Sequence, residues 1–155
     1  MHIVLVEPEI PANTGNVARL CAVTGTPLHL VRPLGFSVDD RHLKRAGLDY
    51  WDMLEIHYYD SIDEVLEKYK DCSKFFLTSH TEKSYTEVKY DENSLLIFGK
   101  ESVGLSEEIR NKYANDCVRI PMIPGARCLN MSNSVAVVTY EALRQLGKLA
   151  GPTFQ

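Results

Sequence analysis

The sequence lacks any apolar run approaching the roughly 20 residues that a membrane-spanning helix requires, so no membrane partner is expected. Its first residues, Met1-His2-Ile3-Val4-Leu5-Val6-Glu7-Pro8, carry no positive leader and no small-residue cleavage site. They read as a first β-strand rather than a signal peptide, and a cytoplasmic protein is expected. Cysteine is sparse and scattered: Cys21, Cys72, Cys117 and Cys128 form no C-x-x-C pair. His2, His29, His42, His57 and His80 supply no matching cluster. Metal ligation needs close spacings of such residues, so no metal site is expected and buried free thiols are. Also missing are the G-x-G-x-x-G turn, the G-x-x-x-x-G-K-[ST] phosphate loop and the G-x-S-x-G nucleophile elbow. Dinucleotide dehydrogenases, P-loop enzymes and serine hydrolases of that design are therefore disfavoured.

A basic surplus is lacking too. The formal charge of −4 argues weakly against a nucleic-acid partner, because phosphate binding normally shows as excess positive charge. Charge is nevertheless local. Arg32, Arg41, Lys44 and Arg45 lie close together, with Asp39 and Asp40 beside them. Either a solvated helix face or a phosphate-contacting patch has this pattern.

What is present is the composition of one globular domain spanning residues 1–155, 45% hydrophobic and 25% charged. A chain of that length can bury a single core. Short β-branched and apolar runs predict strands over 2–6, 28–31, 54–58, 75–78, 95–98 and 118–120. Several are apolar throughout, as strands covered on both faces should be. Helical patterns lie between them at 13–24, 39–46, 61–70, 106–113 and 131–146. The first ends at Gly25, the third starts with a Ser61/Glu64 capping box, and the last is strongly apolar on one side. This alternation predicts an α/β fold, an open and mainly parallel sheet with helices on both faces.

Three loops carry the chemistry. Glu9-Ile10-Pro11-Ala12-Asn13-Thr14-Gly15-Asn16-Val17-Ala18-Arg19 places two amides and an arginine around a helix start, with Asn13 suited to capping. Gly99-Lys100-Glu101-Ser102-Val103-Gly104 follows the fifth strand and offers backbone amides and a carboxylate in a glycine-hinged turn. Pro121-Met122-Ile123-Pro124-Gly125-Ala126-Arg127-Cys128-Leu129-Asn130 follows the sixth and leads into a helix whose first amides are free donors. Met122 and Leu129 are placed either to sandwich a flat ring or to pack in a core. In open α/β sheets ligands sit beyond the carboxyl ends of strands, so the three loops together predict a composite site.

Those segments, with Glu7-Pro8-Glu9-Ile10-Pro11, Arg45-Ala46-Gly47-Leu48-Asp49-Tyr50 and Tyr140-Glu141-Ala142-Leu143-Arg144-Gln145-Leu146-Gly147, resemble the SPOUT methyltransferases over essentially the whole chain. Within that class they look like the branch of tRNA wobble-nucleotide ribose 2′-O-methyltransferases that lack an appended RNA-binding domain. The resemblance implies a deep trefoil knot in the C-terminal chain, S-adenosylmethionine as methyl donor, a tRNA anticodon loop as substrate and a homodimer. It places Leu77, Gly99, Ile120 and Cys128 at cofactor-binding positions, with Met122, Leu129 and Ser134 as further lining. It places Asn13, Arg19, Glu101 and Asn130 at the polar active-site positions. Many relatives have serine where this chain has Cys128; a main-chain role there tolerates the change, whereas a hydroxyl role would suffer, since a thiol is a poor donor.

Arg19 is expected to hold a phosphate and to stabilise charge developing on the ribose oxygen. It is not expected to accept a proton, because a guanidinium stays protonated at any ordinary pH. Three alternatives stay open at this level: a ribosomal-RNA 2′-O-methyltransferase, a non-catalytic RNA-binding module of the same fold, and a flavodoxin-like electron carrier.

Overall fold

A computed structural model describes residues 1–37 and 54–149. The helix expected at 39–46, the cations Arg41, Lys44 and Arg45, and the 45–50 motif lie outside the described residues. In chain order the elements are β1 (His2–Val6), α1 (Pro11–Thr24), β2 (Leu28–Val31), β3 (Ile56–Tyr59), α2 (Ile62–Lys68), β4 (Lys74–Leu77), β5 (Leu95–Phe98), α3 (Glu107–Lys112), a 3-10 turn (Ala114–Asp116), β6 (Cys117–Val118) and α4 (Met131–Gln145).

The six strands form one sheet in the order β3-β2-β1-β5-β4-β6, and every pairing is parallel. At the centre Val4 stands beside His29 on one side and Ile97 on the other. Chain direction in the strand order reverses between β1 and β5, which is where an open α/β sheet leaves a crevice at its carboxyl edge.

Successive residues of a strand point to opposite faces, and here both faces are covered. Ile3, Leu5, Leu28, Leu30, Leu96 and Phe98 meet Val17, Ala18 and Cys21 of α1 and Val135, Val138 and Ala142 of α4. On the other face Val4, Val6, Val31, Leu95 and Ile97 meet Val65 and Leu66 of α2, with Leu105 and Cys117 alongside. This is why the strands read as unbroken apolar runs. Ile3, Val4, Leu95, Leu96 and Ile97 are completely buried, and each such side chain contributes about 1.5–3 kcal/mol relative to exposure.

Helix ends follow local chemistry with one correction. Asn13 does not cap α1: Ile10 occupies the cap position without a side-chain bond, and Pro11 opens the helix. Proline is suited there because its missing N–H has no helical partner anyway. Asn13 is thereby released, buried inside the first turn, for a different task. The helix stops at Gly25, whose φ of 65° is left-handed and whose N–H bonds Cys21 O. Ser61 and Ser106 cap α2 and α3 by accepting from the amides of Glu64 and Ile109.

The sixth strand is shorter than its apolar run predicts. Pairing with β4 ends at Val118, after which Arg119 bridges Ser84 in the β4–β5 connection. The Arg119 amide donates to Lys83 O at 2.8 Å and its carbonyl accepts from Tyr85 N at 2.9 Å. The same connection is tied to α4 by Gln145, whose Oε1 accepts from Tyr90 N and whose Nε2 donates to Val88 O, both at 3.1 Å. Among the described residues, no helix is long and apolar enough to cross a membrane.

Candidate active site

The carboxyl ends of β1, β5, β4 and β6 are adjacent along the sheet, so the loops leaving them share one edge. The loop after β1 and the loop after β5 grip each other reciprocally. Glu101 Oε2 accepts from Glu9 N at 2.7 Å, and Oε1 accepts from Ile10 N at 3.1 Å. In return Glu9 Oε2 accepts from Ser102 N at 2.9 Å. These bonds to Ser102 hold the Glu9 carboxyl below its ordinary range. Lys100 forms an ion pair with Glu7, and that hydrogen bond raises the ammonium above its usual value. Behind the loop, Gly35 donates its N–H to Pro8 O at 2.9 Å; a Cβ there would lie 2.7 Å from Glu9 Cα.

Asn13 joins the third loop to the other two. Its Nδ2 donates to Glu101 Oε1 at 3.2 Å, while its Oδ1 accepts from Asn130 Nδ2 at 2.9 Å. Asn130 is itself the cap of α4, and its Oδ1 accepts from Ser132 N at 2.9 Å and from Ser132 Oγ at 2.7 Å. Its carbonyl accepts from Ser134 N at 3.0 Å. Glu101, Asn13 and Asn130 thus form a continuous polar relay in which each member's oxygen receives defined donors.

Next to the relay opens a cavity of about 750 Å³. Asn13, Glu101 and Asn130 line it, as do Leu77, Gly99, Ile120, Met122, Cys128, Leu129 and Ser134. Gly99 has a packing reason: a Cβ would fall 2.2 Å from Gly104 C and 2.3 Å from Leu105 N. The turn folds back on itself there, closed by the Gly104 N–H to Lys100 O bond of 2.8 Å, and leaves a wall made of backbone. Phe98 and Met131 of the lining are buried, whereas Met122, Arg127, Cys128, Leu129 and Asn130 belong to a stretch, 121–130, that is exposed throughout and forms the outer lip. Cys128 is therefore an exposed thiol, unlike the buried Cys21 and Cys117.

Thr78, Ser79 and His80, just past β4, also line the cavity, as do Lys100 and Arg127. Sequence reasoning missed the first three because it followed glycine and proline, and this loop has neither. The sheet-edge rule itself would have found them, since β4 lies beside β5.

Arg19 is placed elsewhere. It is exposed on α1, and it does not line the cavity. Ala12, Asn16 and Val23 share its exposed stripe. On α4, which packs against α1, Val137 and Tyr140 are exposed as well, at 38% and 44%. The apolar residues of α4 thus serve two faces, Val135, Val138 and Ala142 inward and Val137 with Tyr140 outward. Arg32, the described member of the basic cluster, is paired with Asp60 at 3.0 Å and lies over the Tyr58 ring. Among the described residues, no group of three or more His, Cys, Asp or Glu side chains is placed to hold a metal ion.

An Escherichia coli (strain K12) tRNA (cytidine(34)-2′-O)-methyltransferase is 45% identical over 148 residues, covering 95% of this chain and 94% of its own. A Bacillus subtilis (strain 168) relative, given the same description provisionally, is 49% identical over 148 residues, covering 94% and 92%. A solved structure concerned with 2′-OH methylation of C/U34 on tRNA superposes with a TM-score of 0.90 at 44% identity, covering 94% of this chain and 95% of that one. Residues 1–140 match the model of the SpoU rRNA Methylase family, and the chain belongs to that family.

Proposed function

We propose that this protein transfers a methyl group from S-adenosylmethionine to the ribose 2′-hydroxyl of the wobble nucleotide, cytidine or uridine 34, in a tRNA anticodon loop. The relay from Glu101 through Asn13 to Asn130 carries this reading, because it gathers three strand-end loops around one cavity. The substrate class follows the E. coli relative and the tRNA-methylation structure.

The residues present suit the cofactor. A cavity of about 750 Å³ is within the usual size range for small-molecule sites, about 300–1,000 Å³. Its apolar wall, Leu77, Ile120, Met122 and Leu129, suits a flat purine, and the backbone around Gly99 and Cys128 offers donors and acceptors. Among the described residues its single lining carboxylate, Glu101, is already occupied by three N–H groups. When bound, S-adenosylmethionine supplies an electrophilic methyl group on a sulfonium.

The side chains contribute by positioning. Glu101 is committed as an acceptor, so we assign it the task of holding the 7–13 and 99–105 loops in register rather than that of a base. Asn13 and Asn130 set the cavity against the first turn of α4. Aligning two reactants in this way contributes up to roughly 7–11 kcal/mol of barrier lowering in favourable cases. The hydroxyl proton leaves to water or to an RNA phosphate, both present around an unpaired anticodon nucleotide.

Arg19 we assign to the phosphate beside the reacting sugar, where a planar fork gives two parallel bonds. Its place outside its own chain's cavity supports a homodimer built across the exposed stripes of α1 and α4, with Arg19 at the junction between copies. The test compares purified total tRNA and ribosomal RNA as methyl acceptors. Label entering only tRNA supports the assignment, and label entering only ribosomal RNA refutes it.

A further inference from the structure

Arg127 stands on the outer lip of the cavity, in the stretch from 121 to 130 that is exposed throughout. The inner wall is formed by residues at strand ends, Phe98 and Ile120 among them, which lie deeper. Among the described residues, Lys100 and Arg127 are the lysine and arginine side chains that line the cavity. Lys100 is neutralised by Glu7. Arg127 makes no hydrogen bond or ion pair among the described residues. Ile10 and Val103 also line the cavity while remaining 44% and 73% exposed.

We propose that Arg127 is a substrate-binding residue that takes a phosphodiester of the RNA flanking the target nucleotide, and so seats the ribose over the cavity. This rests on the reading that the substrate is RNA. A chain of net charge −4 repels a polyanion at long range, so an uncompensated guanidinium at the mouth has a large share in local capture. A guanidinium fork fits two phosphate oxygens at once, which fixes orientation as well as position. The exposed Ile10 and Val103 at the same cavity give the adjoining unpaired base a surface on which to lie, as single-stranded RNA sites commonly do. The other oxyanion that reaches this cavity is the carboxylate of the cofactor. The S-adenosylhomocysteine arm of the test below separates the two, because that ligand carries the same carboxylate.

The experiment uses the protein with Arg127→Ala and Arg127→Lys. Methyl transfer to tRNA is measured from low to moderate salt, and S-adenosylhomocysteine binding is measured by calorimetry. Expected for Arg127→Ala is a rise in the KM for tRNA of about tenfold. The dependence of log KM on log salt should become shallower by about 0.7, the release of counterions from one single-stranded phosphate. Affinity for S-adenosylhomocysteine stays within twofold. Arg127→Lys restores the salt slope, which depends on charge, but only part of the KM, which depends on the fork. A KM and salt slope matching the parent protein overturn the proposal, as does weakened S-adenosylhomocysteine binding with an unchanged KM for tRNA. A parent protein that methylates tRNA while Arg127→Ala matches it sinks this assignment alone. A parent protein that methylates no RNA sinks the functional reading and this inference with it.

Discussion

Asn130 donates its Nδ2 proton to Asn13 Oδ1 at 2.9 Å across 117 positions of sequence, and Asn13 passes the interaction on to Glu101 at 3.2 Å. The order of donors and acceptors in this relay is fixed. Asn13 must both give and receive, which a carboxamide does and a carboxylate does not.

Asn13→Asp therefore sets a second carboxylate against Glu101. Like charges this close disfavour joint ionisation. Near neutral pH the variant should lose about 10- to 100-fold in kcat/KM, in line with the loss of a hydrogen bond to a charged group. The deficit relative to the parent protein should shrink as the pH is lowered and the pair takes up one proton. A variant-to-parent ratio that is flat with pH contradicts the relay.

Gly99 and Gly104 differ in what a methyl group would meet. At Gly99 a Cβ collides with the backbone of Gly104 and Leu105, while at Gly104 it meets nothing within 4 Å and only the φ of 71° resists. Gly104→Ala should cost about 1–2 kcal/mol, the strain of a left-handed L-residue. Gly99→Ala should be clearly worse, and it should weaken S-adenosylhomocysteine binding as the turn shifts into the cavity. Chemical denaturation and calorimetry on the two variants check the order, and equal effects would refute it.

Away from the site, His29 is completely buried and hydrogen-bonds His2 at 3.0 Å and the Tyr59 hydroxyl at 3.2 Å. Burial first, then the neighbouring His2, His57 and Lys68, push it down to about 3. An unfolded histidine titrates near 6.5, so between those values the unfolded chain binds the extra proton. The stabilisation is complete above about pH 6.5 and is lost progressively as the pH falls toward 3. The Tm of the parent protein should fall across that window, and that of His29→Gln should fall less. Parallel Tm profiles would exclude His29 as a cause.

The exposed stripe of α4 tests the assembly. Val137→Glu combined with Tyr140→Glu leaves the inward face of the helix untouched. The double variant should sediment as a monomer, bind S-adenosylhomocysteine and transfer no methyl group. Full transfer by a monomer would show that a second copy is unnecessary.

The sheet was legible because its strands are short, apolar on both faces and separated by helical periodicity; β5 and β2 fall where the apolar runs lie. The last strand was overread at 118–120 because an apolar residue follows Arg119, and sequence does not say which neighbour a strand end pairs with. The role of Asn13 as a cap was misread for a related reason. Pro11 satisfies the helix start two residues earlier, which frees the amide for partners distant in sequence. The cavity residues after β5 and β6 were legible from glycine, proline and the helix start at Asn130, while Ser79 and His80 carry no such mark. The position of Arg19 away from the cavity was not legible, since helical phase depends on where α1 begins. The expectation of a knotted C-terminal chain came from the resemblance alone, because hydrophobic periodicity contains nothing about it.

The most direct measurement is incubation of the protein with methyl-labelled S-adenosylmethionine and total tRNA, followed by nucleoside mapping of the labelled product. The account predicts a 2′-O-methylated nucleoside at the wobble position, and loss of that product in Glu101→Ala. Label on a base, at another tRNA position, or undiminished in Glu101→Ala would contradict it.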